Sequence, residues 1–207
     1  MSSGTPDRAR PTGPGRFSAR DLLNVAMFAV LFIVVTYAVN MVGLVSPLVW
    51  VLTVPVSVAA CGIVFMLFLT RVKRFGLVTL FAVSLSLFYL ITGNTLVSTV
   101  GIVLLGLGAD LVARAGRYRS KWAAVGAYTF FGVSFLTPFL PIVIDREGHF
   151  ASSTWEQMGA DYTEAADRLL TLPVLGALAA ATIVAGFLGA LLGAAVLRKH
   201  FEKAGLA

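Results

Sequence analysis

Six apolar runs, each close to the length a helix needs to cross a lipid bilayer, take up most of this chain. They cover about residues 22–43, 48–70, 75–92, 95–115, 122–144 and 171–197. Spanning about 30 Å of hydrocarbon takes roughly 20 apolar residues in a helix. A transmembrane barrel would alternate polar and apolar residues with period 2, and these runs do not. The chain is therefore expected to be an all-α integral membrane protein of six transmembrane helices. Its 207 residues suffice for one bundle and leave no room for a second sizeable domain.

Charge gives the expected topology. Fourteen of the 16 Lys and Arg residues fall in four places. These are the N-terminal tail (Arg8, Arg10, Arg16, Arg20), two short loops (Arg71, Lys73, Arg74; then Arg114, Arg117, Arg119, Lys121) and the C-terminal end (Arg198, Lys199, Lys203). Short Lys/Arg-rich loops stay cytoplasmic. Placing all four clusters inside requires an even number of spans, and six satisfies every loop. The chain is thus expected in the cell membrane as a multi-pass protein with both termini cytoplasmic. Tight outer turns fall near 44–47 and 92–95. Residues 1–17, rich in Gly, Pro, Ser and Arg, read as a disordered cytoplasmic tail, and 18–207 as the membrane domain. The polar first 20 residues lead into a run of full spanning length, so no cleavable signal peptide is expected.

Other classes are disfavoured on specific grounds. Only 13% of residues are charged, against roughly 25% in soluble domains. The net charge of +6 sits at membrane boundaries and forms no continuous stripe, so no nucleic-acid partner is expected. These residues read as topology determinants that also touch anionic lipid. The single cysteine, Cys61, permits neither an intramolecular disulfide nor a multi-thiolate metal site. Both histidines, His149 and His200, lie outside the runs, against intramembrane haem or a buried metal. No P-loop signature is present. No cofactor and no catalytic residues are expected, and the chain is not read as an enzyme.

Neutral hydrogen-bonding and aromatic residues gather at the outer ends of the runs: Thr36, Tyr37, Asn40, Trp50, Thr53, Tyr89, Thr92, Asn94, Thr95, Ser98, Thr99, Thr137 and Pro138, followed by Asp145 and Arg146. Two readings stand. The rings form an interfacial belt and the hydroxyls bond their own helices, or the set lines an outward-facing pocket with aromatic walls and a few polar anchors. The candidate substrate contacts are Asn40, Trp50, Tyr89, Asn94, Tyr128 and Arg146.

The long outer loop between the fifth and sixth runs, about 145–170, carries two helix-start signatures, Ser153 with Glu156 and Asp161 with Glu164, separated by Gly159. It is either a solvated connector or a lid over a cavity. Pro173 suits the first turn of the last helix. That helix carries Ala177, Ala181, Ala185, Gly189 and Gly193 at every fourth position, and the first run carries Ala26 and Ala29. Small residues let helices approach closely in lipid. They serve either this bundle or a partner, and Ala26, Ala29, Gly189 and Gly193 are the candidate docking positions. Asp110 lies four residues before Arg114, so an ion pair along the helix is available.

Several stretches together resemble a known family. Ser18-Ala19-Arg20-Asp21-Leu22-Leu23 enters the first run, and Leu90-Ile91-Thr92-Gly93 makes the third turn. Gly108-Ala109-Asp110-Leu111 is followed by Gly116-Arg117-Tyr118-Arg119-Ser120-Lys121, and the end reads Lys199-His200-Phe201-Glu202-Lys203-Ala204-Gly205. In order and spacing the chain is similar to the MptD / Trep_Strep family of substrate-binding (S) components of energy-coupling factor (ECF) transporters. The resemblance implies an S-component-like bundle that captures a vitamin-like micronutrient outside. The implied partners are a transmembrane coupling protein and two cytoplasmic ATPases, whose ATP hydrolysis topples the bundle to deliver the substrate inward. A non-transport scaffold or assembly subunit is the alternative. Two departures are visible. The third turn reads Thr92-Gly93-Asn94-Thr95 where family members often carry Thr-Gly-His-Gly. The first helix has Val30 where an Ala-x-x-x-Ala docking face would place a second alanine after Ala26.

Overall fold

A computed structural model describes residues 17–203, with side chains to Lys199. Apart from Phe17, the expected tail over residues 1–17 lies outside the described residues. The described chain is helical throughout. α1 is Ala19–Asn40 and runs into a 3-10 turn, Met41–Val45. α2 is Pro47–Arg71, α3 Leu77–Ile91, α4 Leu96–Ala115 and α5 Lys121–Gly132. A 3-10 segment, Val133–Phe139, leads to the short α6, Leu140–Ile144. Three more short helices follow, α7 Arg146–Phe150, α8 Ser153–Met158 and α9 Ala160–Leu169, before the long α10, Leu172–Lys203.

Five segments are long and apolar enough to cross a bilayer: Ala19–Val45, Pro47–Arg71, Leu96–Ala115, Lys121–Ile144 and Leu172–Lys199. The expected span at 75–92 forms a shorter helix, α3, of 15 residues. At 1.5 Å per residue it reaches about 22 Å. Glycines in the left-handed region bound it at both ends, Gly76 (φ 96°) before it and Gly93 (φ 96°) after it. Side chains rarely adopt that conformation, so the helix is clipped at both ends.

α2 is the most buried of the long segments and forms the spine of the bundle. Its crossing with α10 is made by glycine. A Cβ placed on Gly62 would lie 2.4 Å from the Gly189 carbonyl carbon, and one on Gly193 would lie 2.8 Å from the Gly62 oxygen. Gly106 of α4 meets Ala82 of α3 in the same manner, its Cβ position 2.1 Å from the alanine methyl. Around these contacts Phe65, Phe68, Phe81 and Phe131 interlock with Phe32, with Phe68 and Phe81 stacked at 4.7 Å.

The loops at 71–76 and 116–120 share one end of the bundle with the start of α1 and the end of α10; this is its basic end. Ser18 and Asp21 cap α1 reciprocally there, Ser18 Oγ accepting from Asp21 N and Asp21 Oδ2 from Ser18 N. Asp110 does not pair with Arg114 as the sequence allowed. It is fully buried, and Oδ2 accepts from Gly76 N (2.7 Å), Thr79 N (3.2 Å) and Thr79 Oγ1 (3.0 Å). These are donors left open by the start of α3, where a carboxylate also meets the positive end of the helix dipole. Oδ1 accepts from the Tyr118 hydroxyl at 2.7 Å. Burial and this carboxylate raise the Tyr118 phenol above its ordinary range, so it remains a donor. Arg114 instead stacks over the Phe75 ring.

Candidate functional site: a cavity at the broken fifth span

The fifth apolar run is one segment in sequence and three in structure. A continuous α-helix would pair the N–H of residue 138 with the Ser134 carbonyl and that of residue 141 with the Thr137 carbonyl. Both donors are prolines and have no N–H. Hydroxyls add to what the 3-10 turn supplies: Thr137 Oγ1 donates to Ser134 O (2.8 Å), and Thr137 O accepts from both the Leu140 N–H and Ser98 Oγ of α4 (2.8 Å). Irregular backbone inside a membrane protein persists where it is covered by protein or lines a cavity. This segment lines one.

The cavity measures about 70 Å³. α1 contributes Phe32, Thr36 and Asn40; α2 contributes Trp50 and Val54; α3 contributes Leu85 and Tyr89. Ile102 of α4 and Ser134, Phe135, Pro138 and Phe139 of the broken segment complete it. It lies towards the end of the bundle opposite the basic loops. The walls are mainly aromatic, and Trp50 faces Phe139 at a centroid distance of 4.9 Å. Asn40 is held at its oxygen, where Oδ1 accepts from Ser57 Oγ (3.2 Å), while the neighbouring Thr53 hydroxyl gives its proton to the Trp50 carbonyl (2.7 Å).

Three of the six substrate positions read from the sequence, Asn40, Trp50 and Tyr89, meet here. The other three lie elsewhere. Tyr128 is fully buried in the core and its hydroxyl donates to the Val58 carbonyl of α2. Asn94 sits in the turn between α3 and α4, outside the cavity lining. Arg146 is engaged within the long loop, with Nε donating to Asp167 Oδ1 (2.7 Å), Nη1 to Leu170 O (2.7 Å) and Nη2 to Asp167 O. It closes the C-terminal end of α9, where carbonyls lack helical partners. Phe32, Ser134, Phe135 and Phe139 were missed. Phenylalanines deep in apolar runs look like core in sequence, and Ser134 lacks the company of other polar residues. The Thr137-Pro138 pair was the one signal available.

The long loop holds three short helices, one more than its two start signatures indicated. Asp145 adds α7 by accepting from Gly148 N (3.0 Å). α8 starts after Ser152, one residue before the expected cap, and α9 follows Gly159 at φ 88°. No residue of α7–α9 lines the cavity. The loop reaches it through Trp50, whose ring meets Trp155 of α8 edge-on at 5.9 Å. Tyr162 of α9 donates to the Gly43 carbonyl (3.2 Å), and Ala166 and Leu170 are buried with Val51, Val54 and Phe139.

The small residues expected at docking positions divide. Gly189 and Gly193 are consumed by the α2 crossing, and Ala29 is buried. Ala26 is exposed beside Leu23, Met27 and Val30 on the outer face of α1. Among the described residues, no cluster of three or more His, Cys, Asp or Glu side chains is placed to hold a metal ion.

Fold and cavity together define a multi-pass α-helical membrane protein with a small aromatic-walled chamber near one end. The chain belongs to the Trep_Strep family, described as a hypothetical bacterial integral membrane protein family, which it matches over residues 19–203. No curated protein and no solved structure matches it.

Proposed function

We propose that this protein is the substrate-binding S component of an ECF-type importer, capturing a vitamin-like micronutrient in the cavity between α1, α2, α3 and the broken fifth span. The observation that carries the reading is the cavity. A bundle that serves only as scaffold has no need of a broken span held open by hydroxyl bonds around an aromatic chamber. The basic clusters at the opposite end support a topology with both termini in the cytoplasm and the chamber facing out. α3 is then a sixth, shorter membrane helix buried among α1 and α4. The exposed α1 face with Ala26, Met27 and Val30 is one surface available to a coupling membrane protein. Two ATPases bound to that protein supply the energy, and this chain contributes recognition without catalysis.

Co-purification of the tagged chain from native membranes in gentle detergent tests the assembly. Recovery of a coupling membrane protein and two ATPases is the expected result. Recovery of the folded chain alone, with chemical crosslinking applied before extraction to trap transient partners, would contradict it.

A further inference from the structure

We propose that the cavity selects an uncharged, planar molecule of about single-ring size that presents a hydrogen-bond acceptor to the Asn40 carboxamide. This rests on the reading of the cavity as a substrate site and specifies the chemistry that site accepts.

No Asp, Glu, Lys, Arg or His lines the cavity. Arg146, the cation the sequence offered for an anionic ligand, already serves Asp167 and two carbonyls of the loop. A charged group moved from water into such surroundings loses its hydration and gains no counter-charge. A cavity built this way discriminates against carboxylates, phosphates and ammonium groups at the buried end of a ligand.

The polar groups present are neutral, and those left unengaged can donate. Ser57 has no other acceptor, so its proton goes to Asn40 Oδ1 and fixes which way the carboxamide faces. Both Nδ2 protons then remain unused by the protein. The Thr36 hydroxyl is already spent on the Phe32 carbonyl at 2.8 Å. The Ser134 hydroxyl makes no hydrogen bond to the protein although the residue is only 7% exposed. A ring nitrogen or carbonyl oxygen on the ligand complements this set.

Shape follows from the walls and the volume. Phe32, Trp50, Tyr89, Phe135 and Phe139 present ring faces and edges from α1, α2, α3 and the broken segment. Flat molecules gain most against such surfaces. At about 10–15 Å³ per water-sized sphere, a cavity of about 70 Å³ holds about five. That is the scale of one substituted ring; larger substituents would project past Trp50 towards the loop.

The test is thermal unfolding of the purified full chain in detergent. The probes are three pools of a small-molecule extract of the native cells, separated by ion exchange into uncharged, anionic and cationic fractions. The uncharged pool alone is expected to raise Tm. In Asn40→Leu and Ser134→Ala the same rise should require about tenfold more of the pool or vanish. Ser134→Ala removes a hydroxyl that bonds nothing in the protein, so its apo Tm should match wild type even if Asn40→Leu folds poorly. Stabilisation by the anionic or cationic pool would overturn the inference and leave the binding site standing. Equal stabilisation of wild type and Ser134→Ala by the uncharged pool, with Asn40→Leu also unaffected where it folds, would remove the polar contacts and the inference with them. No rise from any pool would contradict the substrate-site reading itself.

Discussion

The indole N–H of Trp155 donates to Nε2 of His149 at 3.0 Å, tying α8 to α7 across the long loop. That bond needs a neutral imidazole, since a protonated Nε2 has no lone pair to offer. Burial lowers the His149 pKa below its ordinary value, opposed in part by the Asp145 carboxylate. A released loop frees the histidine to titrate at about 6.5. Above that pH neither form binds the proton, and docking keeps its full stability. As pH falls the released form takes up the proton first, so docking weakens progressively towards the lowered pKa of the docked form. Protection against hydrogen exchange over residues 146–170, corrected for the intrinsic exchange rate at each pH, should therefore fall between pH 7.5 and 5, and His149→Gln should flatten that dependence. Equal protection at both pH values in the wild type would show that the bond does not hold the loop.

Gly62 and Gly126 offer a matched comparison of one substitution in two surroundings. A Cβ on Gly62 meets the backbone of α10 at 2.4 Å, and backbone cannot swing aside. Gly62→Ala should cost about 3 kcal/mol, the upper range for overpacking. A Cβ on Gly126 meets only Val112 Cγ1, at 3.6 Å, an ordinary contact. Gly126→Ala should be neutral or stabilising by up to about 1 kcal/mol through helix propensity. Denaturation in mixed detergent reads both, and similar losses in the two variants would contradict the α2–α10 crossing.

Arg146 separates a loop role from a ligand role. Its side chain is 37% exposed and that of Asp167 49%, so solvent screens the pair. With its carbonyl bonds the residue should stabilise the loop by about 1 kcal/mol. Arg146→Gln is expected to make residues 146–170 more open to limited proteolysis while changing ligand affinity less than about threefold. A loss of affinity near a hundredfold, with the loop still protected, would mean that the arginine reaches the ligand.

Much of the bundle was legible because five of the six apolar runs map to stretches of membrane-length chain. The third run misled by length: Phe75 and Gly76 are apolar enough to extend it, but the left-handed Gly76 belongs to the turn. Side-chain direction was the harder quantity. Tyr128 looked like a polar ligand group, and only packing shows its hydroxyl turned inward to Val58. Asp110 and Arg114 have the spacing of an ion pair, yet the open N–H groups of α3 and the Tyr118 hydroxyl claim the carboxylate. Asn40, Trp50 and Tyr89, which line the cavity, stood out because they are polar or amphipathic at run ends, where a sequence has contrast. Phe32, Ser134 and Phe135 had none, since the backbone break that turns the last two towards a common space arises from bonds to α4 and from two missing N–H groups.

If the cavity holds a small molecule through Asn40, that molecule travels with the protein and mass spectrometry of the purified chain detects it. Wild type and Asn40→Leu would be purified in parallel from cells grown in rich medium, denatured, and their released small molecules compared. One compound should be enriched in the wild type at near one-to-one ratio with protein and strongly reduced in the variant. Recovery of no compound from folded wild-type protein, or of one retained equally by both chains, would contradict it.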